Sequence, residues 1–490
     1  MFGLVAGLLI GALVATVAIP RRQPTSVVAS GRAPAQTSAI GGIANGEEAA
    51  PGDAQSATGG GGIAAGGSGG SGRRGSGSGG SGSGAASPDG RGPGGNSRGV
   101  TDSTVKIGIA YPDLTGLRTL GPEYDNGDVP EQWRALLDGY KRDKKVPAGG
   151  RNIEFVFRTY NVLDPGAQRS ACLGFVQDDK VFAVVGVAYF QVGSECVARE
   201  YRTPLLTTDG PSDAVFARSA PNLFSLQVST NRLVRNFVRW AKNRGTIAGK
   251  KVGVYYLNDA PTTDIFKTIK SELASVGVTD VVEATTDQSL GGPGDALAVQ
   301  RFRTAQVDVV ILLTSKGGFL QQAQGQGYKP TYIESDYLFG TSDVSASTYD
   351  KNQWNDTLAM TTTHNGEAAA GEPATAESEK CIGNYERYSG KKVVRPGPNG
   401  SNGATFGYVR YSCDLGRVVL HSLNAAGRDL TQASFIAGLE SFRDQPTLQF
   451  GAVSFGPGRH DGAQLQRTLK WSAACTCWRA TGAFAPLFLP

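Results

Sequence analysis

Histidine is scarce in this chain: His364, His421 and His460 are the three among 490 residues. None stands in an HxxxH-type pair, so a helical zinc site built on two imidazoles is excluded. No cysteine precedes Cys172, which excludes a lipid-modified cysteine beside the N-terminal apolar run. The net charge of +5 is thinly spread, and the folded part has no basic stripe interleaved with aromatics. Nucleic acid is therefore not an expected partner. A phosphate loop is also missing. Gly245-Thr-Ile-Ala-Gly249-Lys250-Lys251 is one residue short, has no Ser or Thr after the lysine and precedes a strand. The Gly-Ser-Gly runs near 75–84 are low complexity and form no nucleophile elbow, and no nucleotide fingerprint follows Val105–Ala110. These absences leave no catalytic constellation, no metal and no cofactor, and the chain reads as a non-enzyme.

What is present divides the chain. Phe2–Ile19 is almost wholly apolar or small and is followed by Pro20, Arg21 and Arg22. Such a length is near the minimum for a membrane span, so residues 1–22 read as a membrane anchor or a signal segment. The next stretch, 23–100, is rich in Gly and Ser, with Arg73, Arg74, Arg91 and Arg98 scattered through it. It buries too little apolar surface to offset its ordering entropy and reads as a disordered linker. The remainder is too long for one compact core and suits two domains. Six cysteines, an even number, agree with export and disulfides. Cys172 with Cys196 is a candidate pair because both fall on helices flanking one strand, and Cys381 with Cys413 is a similar local pairing. Cys475-Thr-Cys477 is open: a local bridge, or two sulfurs with other partners.

After Val100 strand and helix patterns alternate. Val105–Ala110, Ile153–Tyr160, Val181–Val187, Pro204–Thr208 and Leu223–Gln227 read as strands, with helices between them. Asp164-Pro165 opens one helix, with Asp as N-cap and Pro in the first turn. Lys251–Leu257, Val281–Thr285, Val307–Thr314 and Thr331–Ser335 repeat the grammar. Strands this continuously apolar are covered on both faces. The fold class is α/β, with two doubly wound, mostly parallel-sheet lobes joined by a hinge.

The order of certain segments is informative. Gly150-Arg-Asn-Ile-Glu-Phe-Val, Asp164-Pro, Asp179-Lys-Val-Phe-Ala-Val-Val-Gly186, Arg202-Thr-Pro204-Leu-Leu, Lys250-Lys-Val-Gly-Val-Tyr-Tyr and Gly325-Gln-Gly-Tyr328 follow one another in sequence. In this order the chain resembles the type I periplasmic solute-binding proteins, most of all the branched-chain amino acid and amide receptors of ABC transporters. The resemblance implies lobe one at 101–227 plus 355–443, and lobe two at 228–354 plus 444–490. It departs where the family has a Gly-Pro-like turn with a Ser: this chain reads Gly186-Val-Ala-Tyr189-Phe190.

Ligands of open α/β sheets bind beyond the carboxyl ends of the strands. There the sequence places hydroxyls, carboxylates and tyrosines. Thr207 and Thr208 are candidates for an anionic or carbonyl end of a solute. Asp209, Asp259 and Asp336 are candidates for a cationic amine, and Tyr111, Tyr189 and Tyr256 for the walls. The expected function is capture of a small polar solute, amino acid or amide-like, outside the cytoplasm, for an ABC permease in the membrane. The alternative is a ligand-sensing module of the same fold that signals to a partner without transport.

Overall fold

Valine, isoleucine, leucine and aromatic residues fill the strands, and Asp, Ser or Thr stands before most helices. The computed structural model describes residues 97–116, 125–143, 148–162, 164–187, 190–287, 292–314, 316–397 and 403–489. Five strands form one sheet in the order β2-β1-β3-β4-β5: β1 (Thr104–Pro112), β2 (Asn152–Tyr160), β3 (Ala183–Gly186), β4 (Leu205–Thr207) and β5 (Leu223–Ser225). All of its pairings are parallel. A second sheet holds β6 (Val252–Leu257), β7 (Val281–Thr286), β8 (Val309–Leu313), β9 (Thr331–Ser335), β10 (Leu358–Thr361), β11 (Leu465–Ser472), β12 (Cys477–Ala480) and β13 (Ala485–Pro486). Its order is β12-β11-β10-β9-β8-β6-β7, with β13 paired to β11. The pairings from β10 to β7 are parallel, and the tail strands are antiparallel. The chain therefore forms two α/β domains with mostly parallel sheets, the architecture read from the sequence.

The helices of eight or more residues are α1 (Val129–Arg142), α2 (Pro165–Leu173), α3 (Thr230–Asn243), α4 (Ala260–Ser275), α5 (Pro293–Thr304), α6 (Lys316–Gly325), α7 (Ala376–Ser389), α8 (Gly403–Ala426) and α9 (Gln432–Glu440). Asp164 caps α2 as its sequence predicts, accepting from the Gly166 N–H at 2.8 Å, with Pro165 in the first turn. Asp128 caps α1 in the same way through the Glu131 N–H at 2.9 Å. Helices α7, α8 and α9 return to the first domain, where α7 and α8 pack on α1 and α9 packs on α8.

Two expectations change here. Residues 355–443 were expected in lobe one, but β10 pairs in register with β9, Leu358 opposite Ile333. The chain returns to the first domain only after Thr361, because the mostly buried β10 supplies the strand on which the tail β11 is laid. The linker was expected to run to residue 100, but Ser97 and Val100 are buried against the first domain. Arg98, read as a solvated charge, donates from Nε to the Val181 carbonyl at 3.2 Å and from Nη2 to Thr203 Oγ1. Gly99 turns the chain at φ +73°, and a side chain there would collide with the Phe182 backbone. The segment after β3 is helical, an α-helix over Gln191–Glu195 that continues as a π turn over Cys196–Glu200. The proposed anchor of residues 1–22 lies outside the described residues. Among the described residues, no helix is long and apolar enough to cross a membrane.

Disulfides join Cys172 to Cys196, Cys381 to Cys413 and Cys475 to Cys477. The third pairing had been left open; the two cysteines face each other across the turn between β11 and β12.

The connections between domains are tied to one another. Asp461 accepts from the Ser229 N–H at 2.9 Å and pairs with Arg232 at 3.1 Å, and both side chains of that ion pair are buried. Arg232 also reaches Gln464 at 3.1 Å. The His460 carbonyl accepts from the Ser225 N–H at 2.9 Å, and the His460 ring stacks on Phe224 at 3.8 Å. The His364 N–H donates to the Gln449 carbonyl at 2.9 Å, so the second and third connections also touch. A bundle of three short, mutually bonded segments can bend without unfolding either domain.

Candidate functional site between the domains

The first sheet and strands β6 to β10 of the second run parallel, so their carboxyl ends gather at one edge of each domain. In the first domain this edge carries Tyr111 at the end of β1 and Thr207-Thr208-Asp209 after β4. Thr207 and Thr208 are buried. Thr207 Oγ1 accepts from the Asp209 N–H at 3.1 Å, and Asp209 Oδ2 accepts from the Phe190 N–H at 2.9 Å. The Asp209 carboxylate thereby holds Phe190, the residue that caps the helix starting at Gln191. Tyr189, the next residue back, lies outside the described residues. Tyr111 is half-buried and meets Phe157 edge-on at 6.5 Å. Burial, followed by the nearby Asp128 and Asp113 carboxylates, raises its hydroxyl pKa. A cavity of about 630 Å³ opens beside it, lined by Asp113, Asp128, Tyr385, Lys391 and Thr405 among others.

In the second domain the same edge carries Tyr256, Asp259, Thr314 and Asp336. Tyr256 stacks on Phe266 with ring centres 4.3 Å apart and planes 11° apart, so one ring face is already covered. Asp259 caps α4 with one oxygen, Oδ1 accepting from the Thr262 N–H at 2.7 Å. Its other oxygen, Oδ2, is buried without a hydrogen-bond partner, as is Thr314 Oγ1 at the end of β8. Asp336 is engaged differently. Oδ1 accepts from the Thr341 and Thr361 hydroxyls, each at 2.6 Å. Oδ2 accepts from the Thr362 N–H at 2.7 Å and its hydroxyl at 2.8 Å. Four internal donors commit this carboxylate to holding the start of the second connection.

Tyr411 lies on α8, and sequence reasoning did not single it out. Its half-buried ring packs near Phe450 at 6.3 Å. Burial raises its hydroxyl pKa; Arg410 opposes this, and Asp336, Asp414 and Asp209 add to it. Asp209 belongs to the first domain and Asp336 to the second, so Tyr411 feels both. Glu367 accepts from Arg467 at 2.6 Å and lies 2.8 Å from His364 Nδ1. Burial alone would raise the Glu367 pKa, but His364 and Arg467 hold it below its ordinary value. Among the described residues, no group of three or more His, Cys, Asp or Glu is placed to hold a metal ion.

The molecule thus has two α/β domains with mostly parallel sheets, joined by three connections that bond to one another. A periplasmic binding protein family model matches residues 104–474. The chain belongs to the periplasmic binding protein family. This is an extracytoplasmic family of solute-binding proteins.

Solved periplasmic binding proteins share the fold at low identity. One is a solute binding protein of an ABC transporter from Rhodopseudomonas palustris BisB5, in complex with 3,4-dihydroxybenzoic acid. It is 16% identical with a TM-score of 0.54, over 79% of this chain and 98% of that one. A leucine binding protein from Thermotoga maritima MSB8 is 13% identical with a TM-score of 0.54, over 78% and 99%. A fatty acid ABC transporter substrate-binding protein from Thermomonospora curvata is 18% identical with a TM-score of 0.57, over 79% and 94%. No curated protein matches the sequence.

Proposed function

We propose that this periplasmic binding protein captures a small polar solute, amino acid or amide-like, between its two domains and presents it to the permease of an ABC importer. The observation that carries this reading is the pair of buried, unpartnered atoms at the second domain's strand ends, Asp259 Oδ2 and Thr314 Oγ1. A buried polar atom without a partner costs about 1–3 kcal/mol, and more when charged, so folded proteins rarely keep one without a use. An amine or amide N–H of a solute would satisfy Asp259 Oδ2, and Thr314 would bond the same end. Asp259 fits this role better than Asp336, whose oxygens already hold four donors. Thr207, Thr208 and Asp209 face from the first domain, and Tyr111 and Tyr256 close the sides. The solved relatives named for leucine, a dihydroxybenzoic acid and fatty acids support small organic solutes as the ligand class.

Closure follows from the bonded connections: a solute touching both strand edges has differential affinity for the closed arrangement and shifts the population toward it. Isothermal titration of the purified protein with L-leucine, L-leucinamide and 4-hydroxybenzoate tests the reading. Asp259→Asn is expected to weaken an amine-bearing ligand by roughly 30-fold or more, the usual penalty for truncating a buried charge pair. Equal affinity in the variant removes Asp259 from the site, and no binding across such a panel overturns solute capture.

A further inference from the structure

Arg410 sits on α8 immediately before Tyr411. Its Nε is buried and has no hydrogen-bond partner. Among the described residues, none of its guanidinium donors makes a hydrogen bond, and no carboxylate lies within ion-pair distance. Its own helix offers Phe406, whose ring lies 5.2 Å from the guanidinium carbon, and Asp414 one turn on. Asp414 makes no hydrogen bond to the guanidinium; its oxygens accept from the Leu448 N–H at 2.8 and 3.0 Å and the Gln449 N–H at 2.8 Å. Burial accordingly depresses the Arg410 pKa, with Asp414 and Glu367 only partly offsetting it.

A second guanidinium that acts on Arg410 electrostatically is Arg467, near the start of the second domain's β11. It is buried, pairs with Glu367 at 2.6 Å, donates to the Asn365 carbonyl at 2.9 Å and lies 4.5 Å over the Phe484 ring. Its Nε is also buried without a partner. The two cations feel each other, and Arg467 helps depress Arg410. One belongs to the first domain and the other to the second, so approach of the domains brings like charges together.

We propose that Arg410, assisted by Arg467, is a subsite for an anionic group of the solute, a carboxylate or a group of similar charge and shape. This inference rests on the solute-capture reading and specifies its ligand class. A planar anion offers the acceptors that a guanidinium fork lacks here. An anion between two cations of opposite domains also removes the repulsion that resists closure, so its binding favours the closed form.

The test uses the purified full chain, wild type, Arg410→Met and Arg410→Lys, titrated with L-leucine, 4-hydroxybenzoate and hexanoate and with the corresponding amides, which lack the carboxylate. The acids are expected to bind roughly 30-fold or more tighter than the amides, and Arg410→Met is expected to lose at least that factor for acids. Without ligand, Arg410→Met is expected to melt no lower than wild type, since it removes an unpaired, partly buried cation and keeps the apolar stem. Arg410→Lys retains part of the preference for acids. Amides binding as tightly as acids, or unchanged affinity for acids in Arg410→Met, overturns the anionic subsite and leaves solute capture standing. Earlier melting of unliganded Arg410→Met also overturns it, because the guanidinium would then be a structural element. Binding of none of the acids or amides overturns both readings.

Discussion

In the first domain two disulfides join elements well apart in sequence, Cys172 to Cys196 and Cys381 to Cys413. The second domain's disulfide, Cys475 to Cys477, spans a separation of 2 residues. Ring packing differs in the opposite sense. One side of the second sheet buries Tyr255, Phe302, Phe319, Tyr332, Trp354, Trp471 and Trp478 in a single cluster. The corresponding outer cluster of the first domain is mainly Val, Ala, Leu and Phe around the Cys172–Cys196 bridge. The first domain thus restricts its unfolded chain, while the second draws its cohesion from large side chains that close over a late-added antiparallel tail. A covalent tie acts wherever it falls in the fold; aromatic packing requires every neighbour to be in place.

The largest effect expected from this contrast is in the second domain. Trp471→Ala removes a fully buried ring on β11 and leaves a cavity beneath the tail. A loss of about 3–5 kcal/mol is expected by denaturant unfolding. A loss below about 1 kcal/mol would show that the tail strands do not carry the domain. Next come the bridges. In the chain-entropy account, replacing both Cys172 and Cys196 by Ala lowers stability by roughly 3 kcal/mol, and the same change at Cys475 and Cys477 by only about 1–2 kcal/mol. Equal losses at the two sites would erase the difference between the domains. The smallest effect concerns Asp343, which accepts from the Trp478 N–H at 2.6 Å. Burial pushes its carboxyl up to about 6, with the Trp478 N–H pulling against it. A raised folded pKa means that its contribution is complete below the ordinary carboxylate range, near 4, and is lost as pH rises through about 6. Melting temperatures followed across that window should therefore fall in the wild type relative to Asp343→Asn, which cannot ionise. Parallel curves would remove Asp343 from the pH response.

Most of the fold is legible in the sequence because its signals are local. Apolar runs such as Val309–Leu313, capping pairs such as Asp164-Pro165 and the regular alternation of elements need no knowledge of distant partners. The place where the chain returns to the first domain is not local. Strand β10 has four residues, and its membership is decided by register against β9 and β11. Arg98 was hidden for a similar reason: in a Gly- and Ser-rich window its charge reads as solvated, and only the Val181 and Thr203 acceptors show otherwise. The strand-end candidates were found because topology predicts where strand ends meet. Arg410 and Tyr411 were not, since both lie within a long helix where charged and aromatic residues are ordinary. What distinguishes Arg410 is a missing partner, and a sequence does not display missing partners. Asp336 shows the converse: its position after β9 marked it as a ligand candidate, while its four donors become visible only in three dimensions.

The entry of the chain at Ser97 has a geometric consequence. Arg98 fastens to Val181 and Thr203, which precede β3 and β4, and Val100 bridges to Val105 at the start of β1. All three anchor points lie at the amino ends of the strands, the pole opposite the mouth between the domains. The contacts that fasten Arg98 and Val100 are therefore made at the back of the first domain and involve none of the three bonded connections.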